Sequence, residues 1–337
     1  MLRRKLFASA SLLLAAVVLV LGASPVFATA AKTGGGDGLR ISPVRSDLTI
    51  NAGASQTVDV YVTNLTSAPA DLRGVVDDFT AGNDETGTPY ILLNGEKAPT
   101  HSLKGFVSSI GSFTLGSQAT KDVKVTITIP RGAKAGGYFG AVRILPASAN
   151  GTKNVNLTAS VGSLILVTVP GPVTQQMGIA SFDVRRMNTK TNELNGSSFI
   201  FTSKKNLDGV ARFDNTGDLQ EEPFGKIILK KGSKVLGSYE INNTTPRGNV
   251  LPDSIRRFWV PLQGLGSFGK YTLEGNFGYG NKGQLLTAKT TFYIIPLAVI
   301  VLVIVIIALI LFFVFVLPRL VRAYNRRVIK KATGRRR

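Results

Sequence analysis

From Ile294 to Leu317 the chain runs 24 residues without a charge. As a helix that stretch is ~36 Å long, enough to cross the ~30 Å hydrocarbon core of a bilayer. Inside a membrane every backbone N–H and C=O must be satisfied within the segment, so a helix is the form it must take. The span is predicted over 293–317, with Phe292 and Tyr293 in an aromatic belt and Pro296 in the first turn, where its missing N–H costs little. From Pro318 onward come nine basic residues and no acidic one: Arg319, Arg322, Arg326, Arg327, Lys330, Lys331, Arg335, Arg336 and Arg337. Lysine and arginine stay on the cytoplasmic side, which makes 318–337 a cytoplasmic tail and places the rest outside.

The amino terminus agrees with export. Arg3, Arg4 and Lys5 precede an apolar run from Leu6 to Leu21 and the small-residue signature Ala28-Thr29-Ala30, which reads as a secretory signal over 1–30. The headline charge of +20 is therefore mostly anchor chemistry. The signal holds three of these charges and the tail nine, leaving +8 on the exported part. Basic residues in the tail suit anionic headgroups, and no nucleic-acid role is expected. There is no cysteine. An exported eukaryotic ectodomain of this size would usually carry disulfides, so the Asn-X-Ser/Thr triplets at Asn64, Asn150, Asn156, Asn195, Asn242 and Asn243 read as ordinary turn and strand residues of a bacterial surface protein.

After a glycine-rich lead (31–38), the exported part is strands and turns. Thr57–Asn64 puts Val58, Val60 and Val62 on one face and Asp59, Tyr61 and Thr63 on the other, and Asp122–Ile129 repeats the alternation. Period two marks strands with one face in a core and one in water. Ser163–Val169 is a further strand that ends at Pro170-Gly171-Pro172, the expected border between two units, 39–171 and 172–292. In the second unit, strands are expected at 180–185, 209–214, 226–230, 235–241, 256–262, 270–277 and 285–294. The fold class is all-β: two tandem immunoglobulin-like β-sandwiches plus one C-terminal transmembrane helix. Each unit is near the ~100 residues of such a sandwich.

One pattern occurs twice. A strand ends at Pro130, a glycine-rich bend follows, and Gly137-Tyr138 opens the next strand; RRFWVPL ends at Leu262, GLGSFG follows, and Lys270-Tyr271 opens the next. This is where a tyrosine corner sits, its hydroxyl bonding back to the backbone. Tyr138 and Tyr271 are the expected structural pins.

Chemistry is sparse. A phosphate loop needs its lysine after the last glycine, followed by Ser/Thr and a helix; Lys134 lies inside its loop and a strand follows. His101 is the only histidine, so neither a catalytic triad nor a zinc set can be assembled around it, and it reads as a surface loop residue. The dense acidic segment 77–85 reads as a solvated loop. Asp77, Asp78, Asp84 and Glu85 are a weak Ca²⁺ candidate by their hard oxygen ligands, and the only carboxylate set for a glycan hydrolase. No cofactor is expected. Candidate ligand contacts are Thr86, Thr88 and Tyr90 after that loop, Trp259, which should point away from the face shared by Phe258, Val260 and Leu262, and Tyr279 at a hairpin tip.

RISPVRSDLT (Arg40–Thr49), VDVYVTN (Val58–Asn64), TGTPY (Thr86–Tyr90) and GGYFGAVRI (Gly136–Ile144) resemble the WxL-interacting proteins of Gram-positive surfaces. FDNTG (Phe213–Gly217), LPDSIRRFWVPL (Leu251–Leu262) and GKYTL (Gly269–Leu273) extend the match. The resemblance implies a first unit that binds peptidoglycan and a second that engages a host protein or an exported surface protein, without catalysis. No contact residue is carried over by it. The alternative reading is a chaperone-like module that pairs an edge strand with an exported protein.

Overall fold

A computed structural model describes residues 38–147, 160–191 and 193–333, with side chains as far as residue 326. The expected signal, residues 31–37 of the lead, Asn150, Asn156 and the last four residues lie outside the described residues.

The first half folds as two sheets face to face. One is β1 (Leu39–Ser42), β3 (Ser55–Asn64) and β7 (Thr120–Thr128), in the order β1-β3-β7. The other runs β2-β9-β8-β4-β5, from β2 (Arg45–Thr49), β9 (Val161–Val169), β8 (Gly136–Pro146), β4 (Ala70–Ala81) and β5 (Pro89–Ile91), with β6 (Ser112–Leu115) also on β4. The alternating valines close the core: Val60, Val62, Val125 and Ile127 are fully buried, against Leu72, Val142, Ile144 and Val167 of the facing sheet. β8 and β9 do not alternate cleanly because both their faces are covered. Phe139, Ala141 and Leu166 form a separate cluster with Phe79 and with Leu251 of the second half.

The second half repeats the plan around its own core. β10 (Met177–Asn188), β11 (Glu193–Ser197), β13 (Leu207–Asn215) and β16 (Ser254–Pro261) are ordered β11-β10-β13-β16. The facing sheet is β12-β18-β17-β14-β15, made of β12 (Ile200–Phe201), β14 (Phe224–Lys231), β15 (Lys234–Ile241), β17 (Gly269–Tyr279) and β18 (Gln284–Ile294). The chain crosses between these two mainly antiparallel sheets, the arrangement of an immunoglobulin-like sandwich. Phe213, Ile227, Leu229, Tyr271, Leu273, Phe277 and Phe292 are its fully buried heart.

Both tyrosine corners form. Tyr138 Oη donates to the Lys134 carbonyl at 2.9 Å, and Tyr271 Oη accepts the Gly266 N–H at 2.9 Å. A second paired feature sits at the end of β3 and of β13. Asn64, fully buried, donates to the carbonyls of Ala68, Leu115 and Gly116; Asn215, also fully buried, donates to those of Leu219 and Val250. Each side chain closes the turn after its strand.

Several expectations change. Asp77 and Asp78 lie not in a solvated loop but within β4, almost wholly buried. β11 and β12 are strands the sequence did not announce, the first being polar (ELNGS) and the second two residues long. Phe292 is not in an aromatic belt: it is buried, its ring stacked on Tyr271 at 5.4 Å. Tyr293 and Ile294 complete β18 against β17 and β12, so the apolar helix starts only at Leu297. α1 (Leu297–Leu311) continues through a π-helical turn, Phe312–Val316, into α2 (Leu317–Thr333). The wider turn ends two residues before Pro318, which has no N–H for the i−4 carbonyl and whose ring would crowd it. Residues Leu297–Arg326 are long and apolar enough to cross a membrane.

Candidate functional site

The loop between β4 and β5 leaves the first sandwich and lands on the second. Glu85, with φ +59°, is its contact point. Arg212 of β13 donates from Nε to Glu85 Oε2 at 2.7 Å and from Nη2 to Oε1, a two-pronged ion pair with both side chains largely buried. The Glu85 carbonyl takes the Arg257 N–H of β16 at 2.9 Å. The hydrogen bond from Arg212, reinforced by nearby Arg257, holds the Glu85 carboxyl below its usual range against an opposing effect of burial. Around this point lie Gly137 N–H to Asp218 O at 2.8 Å, Arg45 Nη2 to Glu222 Oε1 at 2.8 Å, and Gln220 Nε2 to Thr168 Oγ1 at 3.2 Å.

Two cavities flank that contact, of about 320 and 670 Å³. The smaller is lined by Phe79, Leu164, Leu166 and Leu251 and by Arg45, Arg247 and Arg256. The Arg256 guanidinium lies in a slot between two glycines: a Cβ at Gly87 (φ +87°) would fall 2.0 Å from its Cζ, and one at Gly248 would fall 2.7 Å from its Nη2. Its contacts are the Asn249 carbonyl at 2.7 Å and the Phe258 ring at 5.1 Å. Burial, and the charge of Arg45, push its pKa down. His101 is no free surface residue: its Nδ1 is 2.7 Å from the Gly137 carbonyl and its ring 5.7 Å from Phe139, on the wall of the larger cavity.

Of the five proposed contacts, the structure brings Thr86 to Trp259 in one pocket and to Thr88 through a 3.0 Å hydrogen bond between their hydroxyls. Thr86 and Trp259 line one surface pocket of about 320 Å³ with Glu240, Ile241, Asn242, Arg257 and Phe258. Trp259 is 39% exposed, as the alternation of β16 required, with Val260 on the core side. Thr88 itself lines the small inter-sandwich cavity, and Tyr90 is exposed on β5, outside the Trp259 pocket. Tyr279 is removed from the set: it is buried, and its hydroxyl accepts the Met177 N–H at 3.2 Å.

The carboxylate set dissolves. Asp78 accepts the N–H groups of Ala98, Leu103 and Lys104 and the Ser102 hydroxyl, at 2.5 to 3.1 Å, and so folds the 98–104 segment onto β4. Asp77 is paired with Arg143 at 2.7 Å and Lys104 at 3.3 Å. Asp84 closes a turn by accepting from the Thr86 hydroxyl and N–H, which lowers its pKa. Two of the four are buried and paired in one sandwich, and Glu85 is bound to the other. Among the described residues no group of three His, Cys, Asp or Glu side chains is placed to hold a metal ion. The Ca²⁺ and hydrolase readings of Asp77, Asp78, Asp84 and Glu85 therefore lose their geometry.

What sequence reasoning missed is an edge. Among the described residues β15 pairs with β14 on one side only and ends its sheet; Gln263 lies beside it, donating its N–H to Tyr239 Oη at 2.8 Å without main-chain pairing. Other edges are blunted in ways that discourage pairing. β7 carries Lys121, Asp122 and Lys124 and is covered by Ser108, whose N–H donates to Thr126 O at 2.8 Å. β16 is capped by Glu85 and ends in Pro261. β1, β2, β5, β6 and β11 are three to five residues long. β15 has eight residues, and the five at its centre, Val235-Leu236-Gly237-Ser238-Tyr239, are uncharged, with Val235 54% exposed.

No protein-family model matches the sequence, and no curated protein does. Solved structures similar to the chain include the class 5 fimbriae chaperone CfaA, at 18% identity over 77% of this chain and 100% of that one, TM-score 0.35. Another is a chain from a chaperone–tip adhesin complex of CFA/I fimbriae biogenesis, at 15% identity over 75% and 98%, TM-score 0.36. The E. coli chaperone DraB matches at 16% over 76% and 96%, TM-score 0.30.

Proposed function

We propose that this chain is a non-catalytic binding protein, anchored by α1 on the outer face of a cell membrane, that takes an extended segment of an exported protein onto the edge of β15. The observation that carries the reading is that edge: eight residues, uncharged at the centre, and without a main-chain partner beyond β14 among the described residues. An added strand there would satisfy main-chain groups in any sequence, while pockets beside the edge choose side chains. The pocket of Thr86 and Trp259 adjoins the upper end of β15, so recognition and pairing share one surface.

This favours the chaperone-like alternative over attachment to peptidoglycan. Thr86 and Trp259 meet on the second sandwich, with Thr88 bonded to Thr86, whereas Tyr90 is exposed on the first sandwich outside that pocket. The test places a photoreactive residue at Trp259 of the membrane-anchored chain in intact cells. The reading expects one defined exported protein in the adduct, and its loss when Gly237→Lys and Ser238→Lys put charge on the edge. Adducts to cell-wall polymer, or co-sedimentation of the full chain with sacculi in the absence of any protein partner, would support the peptidoglycan reading instead.

A further inference from the structure

We infer that the end of the second sandwich next to α1 rests on an anionic lipid surface through exposed aromatic and lysine side chains. The inference rests on α1 being a membrane anchor, and it extends that anchor from a helix to a docked sandwich.

Strand registers gather the surface. β12 lies parallel to the end of β18, with Ile200 opposite Tyr293, and the Phe199 carbonyl takes the Tyr293 N–H at 2.8 Å. β17 begins at Gly269 opposite Ile294, which brings Phe268 to the same end. α1 starts three residues after Ile294. Phe199, Ile200, Phe268 and Tyr293 are thus grouped where the chain leaves the sandwich, and they are 68%, 45%, 59% and 37% exposed. Large apolar side chains exposed together call for a covering surface.

Among the described residues the exposed charges around them have one sign. The hairpin of β14 and β15 turns here, with Lys231 opposite Lys234, and Lys231 Nζ donates to the Phe268 carbonyl at 3.2 Å. Lys270 lies 6.0 Å from the Tyr293 ring centroid. On the other sheet, Arg186 binds the carbonyls of Ser203 and Lys205 and sits 5.7 Å from the Phe201 ring, which ties Lys204 and Lys205 to the same end. Lys204, Lys205, Lys231, Lys234 and Lys270 are exposed. Asp208, the acidic residue nearest them on β13, is buried, and Glu193 lies out on the edge strand β11. Aromatic rings seated among headgroups with lysines around them, each drawn to anionic lipid, are the chemistry of an interfacial contact. The short link to α1 leaves the bilayer as the surface within reach, and a lipid face is the occupant this end fits.

Such docking would hold β15 at a fixed height and orientation above the membrane, since Lys234 begins that strand. The chain has no cysteine, so single labelling sites are available without background. Nitrobenzoxadiazole is attached to cysteine in place of Phe199, Phe268, Leu285 or Ile304, in full-length protein in nanodiscs of phosphatidylglycerol and phosphatidylcholine. Leu285 is 81% exposed at the opposite end of β18. The inference expects severalfold stronger quenching by headgroup-proximal doxyl lipid at 199 and 268 than at 285, and its loss at 268 in the Lys231→Glu, Lys234→Glu, Lys270→Glu variant. Equal quenching at all three sites overturns it. Blue-shifted emission without lipid quenching also overturns it, because the cover would then be protein. The label at 304 reads the helix separately: quenching there with none at 199 and 268 leaves the anchor and removes the docking, while no quenching at 304 removes the anchor itself.

Discussion

Tyr138 Oη donates to the carbonyl of Lys134, four residues upstream, at 2.9 Å. Its counterpart Tyr271 differs in one respect that matters for energy. Tyr271 is fully buried and accepts the N–H of Gly266, whereas Tyr138 is half-exposed and donates to a carbonyl that water can reach. Tyr138→Phe should therefore cost about 1 kcal/mol, and Tyr271→Phe more, about 2 kcal/mol, because the part-buried Gly266 N–H is left without its partner. Thermal unfolding of the two variants checks the order, and neither should abolish partner capture at permissive temperature.

The Glu85–Arg212 pair gives the junction between sandwiches an acid limit. Arg212 lowers the Glu85 pKa below its usual 4.5, so the folded state binds fewer protons than the unfolded one. The stabilisation is complete above about pH 4.5 and is lost as pH falls through the lowered folded value. Glu85→Gln should destabilise the protein at neutral pH by about 1–2 kcal/mol, between the figures for exposed and buried pairs. It should also flatten the acid side of the stability profile below pH 4.5, which urea unfolding across pH reads directly.

Glu221 has the opposite sign. Burial raises its pKa from 4.5 to about 6, with hydrogen bonds from Gly280 and Gln175 opposing, and its Oε1 is buried without a partner. The folded state therefore holds the proton longer. The contribution to stability is fully present below about pH 4.5 and is lost as pH rises through about 6. Glu221→Gln should stabilise the protein at pH 7 by roughly 2 kcal/mol or less and make little difference at pH 4. A variant no more stable at pH 7 than the wild type would show that the carboxylate is solvated.

How much of this was legible in the sequence depends on what each residue touches. β3 and β7 could be read directly because one face is wet, and Val60 or Val125 alternates with charged neighbours. The tyrosine corners were legible because their partners are local. Asp77 and Asp78 were misread because a buried carboxylate has the same composition as a loop, and Arg143 stands 66 residues from its partner Asp77. Tyr279 was misread from the glycines around it, when its side chain turns inward to Met177. The meeting of Thr86 with Trp259, and the landing of Glu85 on Arg212, come from a long-range contact that no local pattern encodes. The free edge of β15 is a property of sheet order, which periodicity does not carry.

Strand addition at β15 is tested most directly by its register. A photoreactive residue is moved in turn to Val235, Gly237 and Tyr239 in the anchored chain, and the adduct is mapped on the captured exported protein by mass spectrometry. Pairing along an edge predicts that each two-residue step of the probe moves the crosslinked position on the partner by two residues in a constant direction. Adducts scattered over the partner without register, or carried on cell-wall polymer, would contradict it.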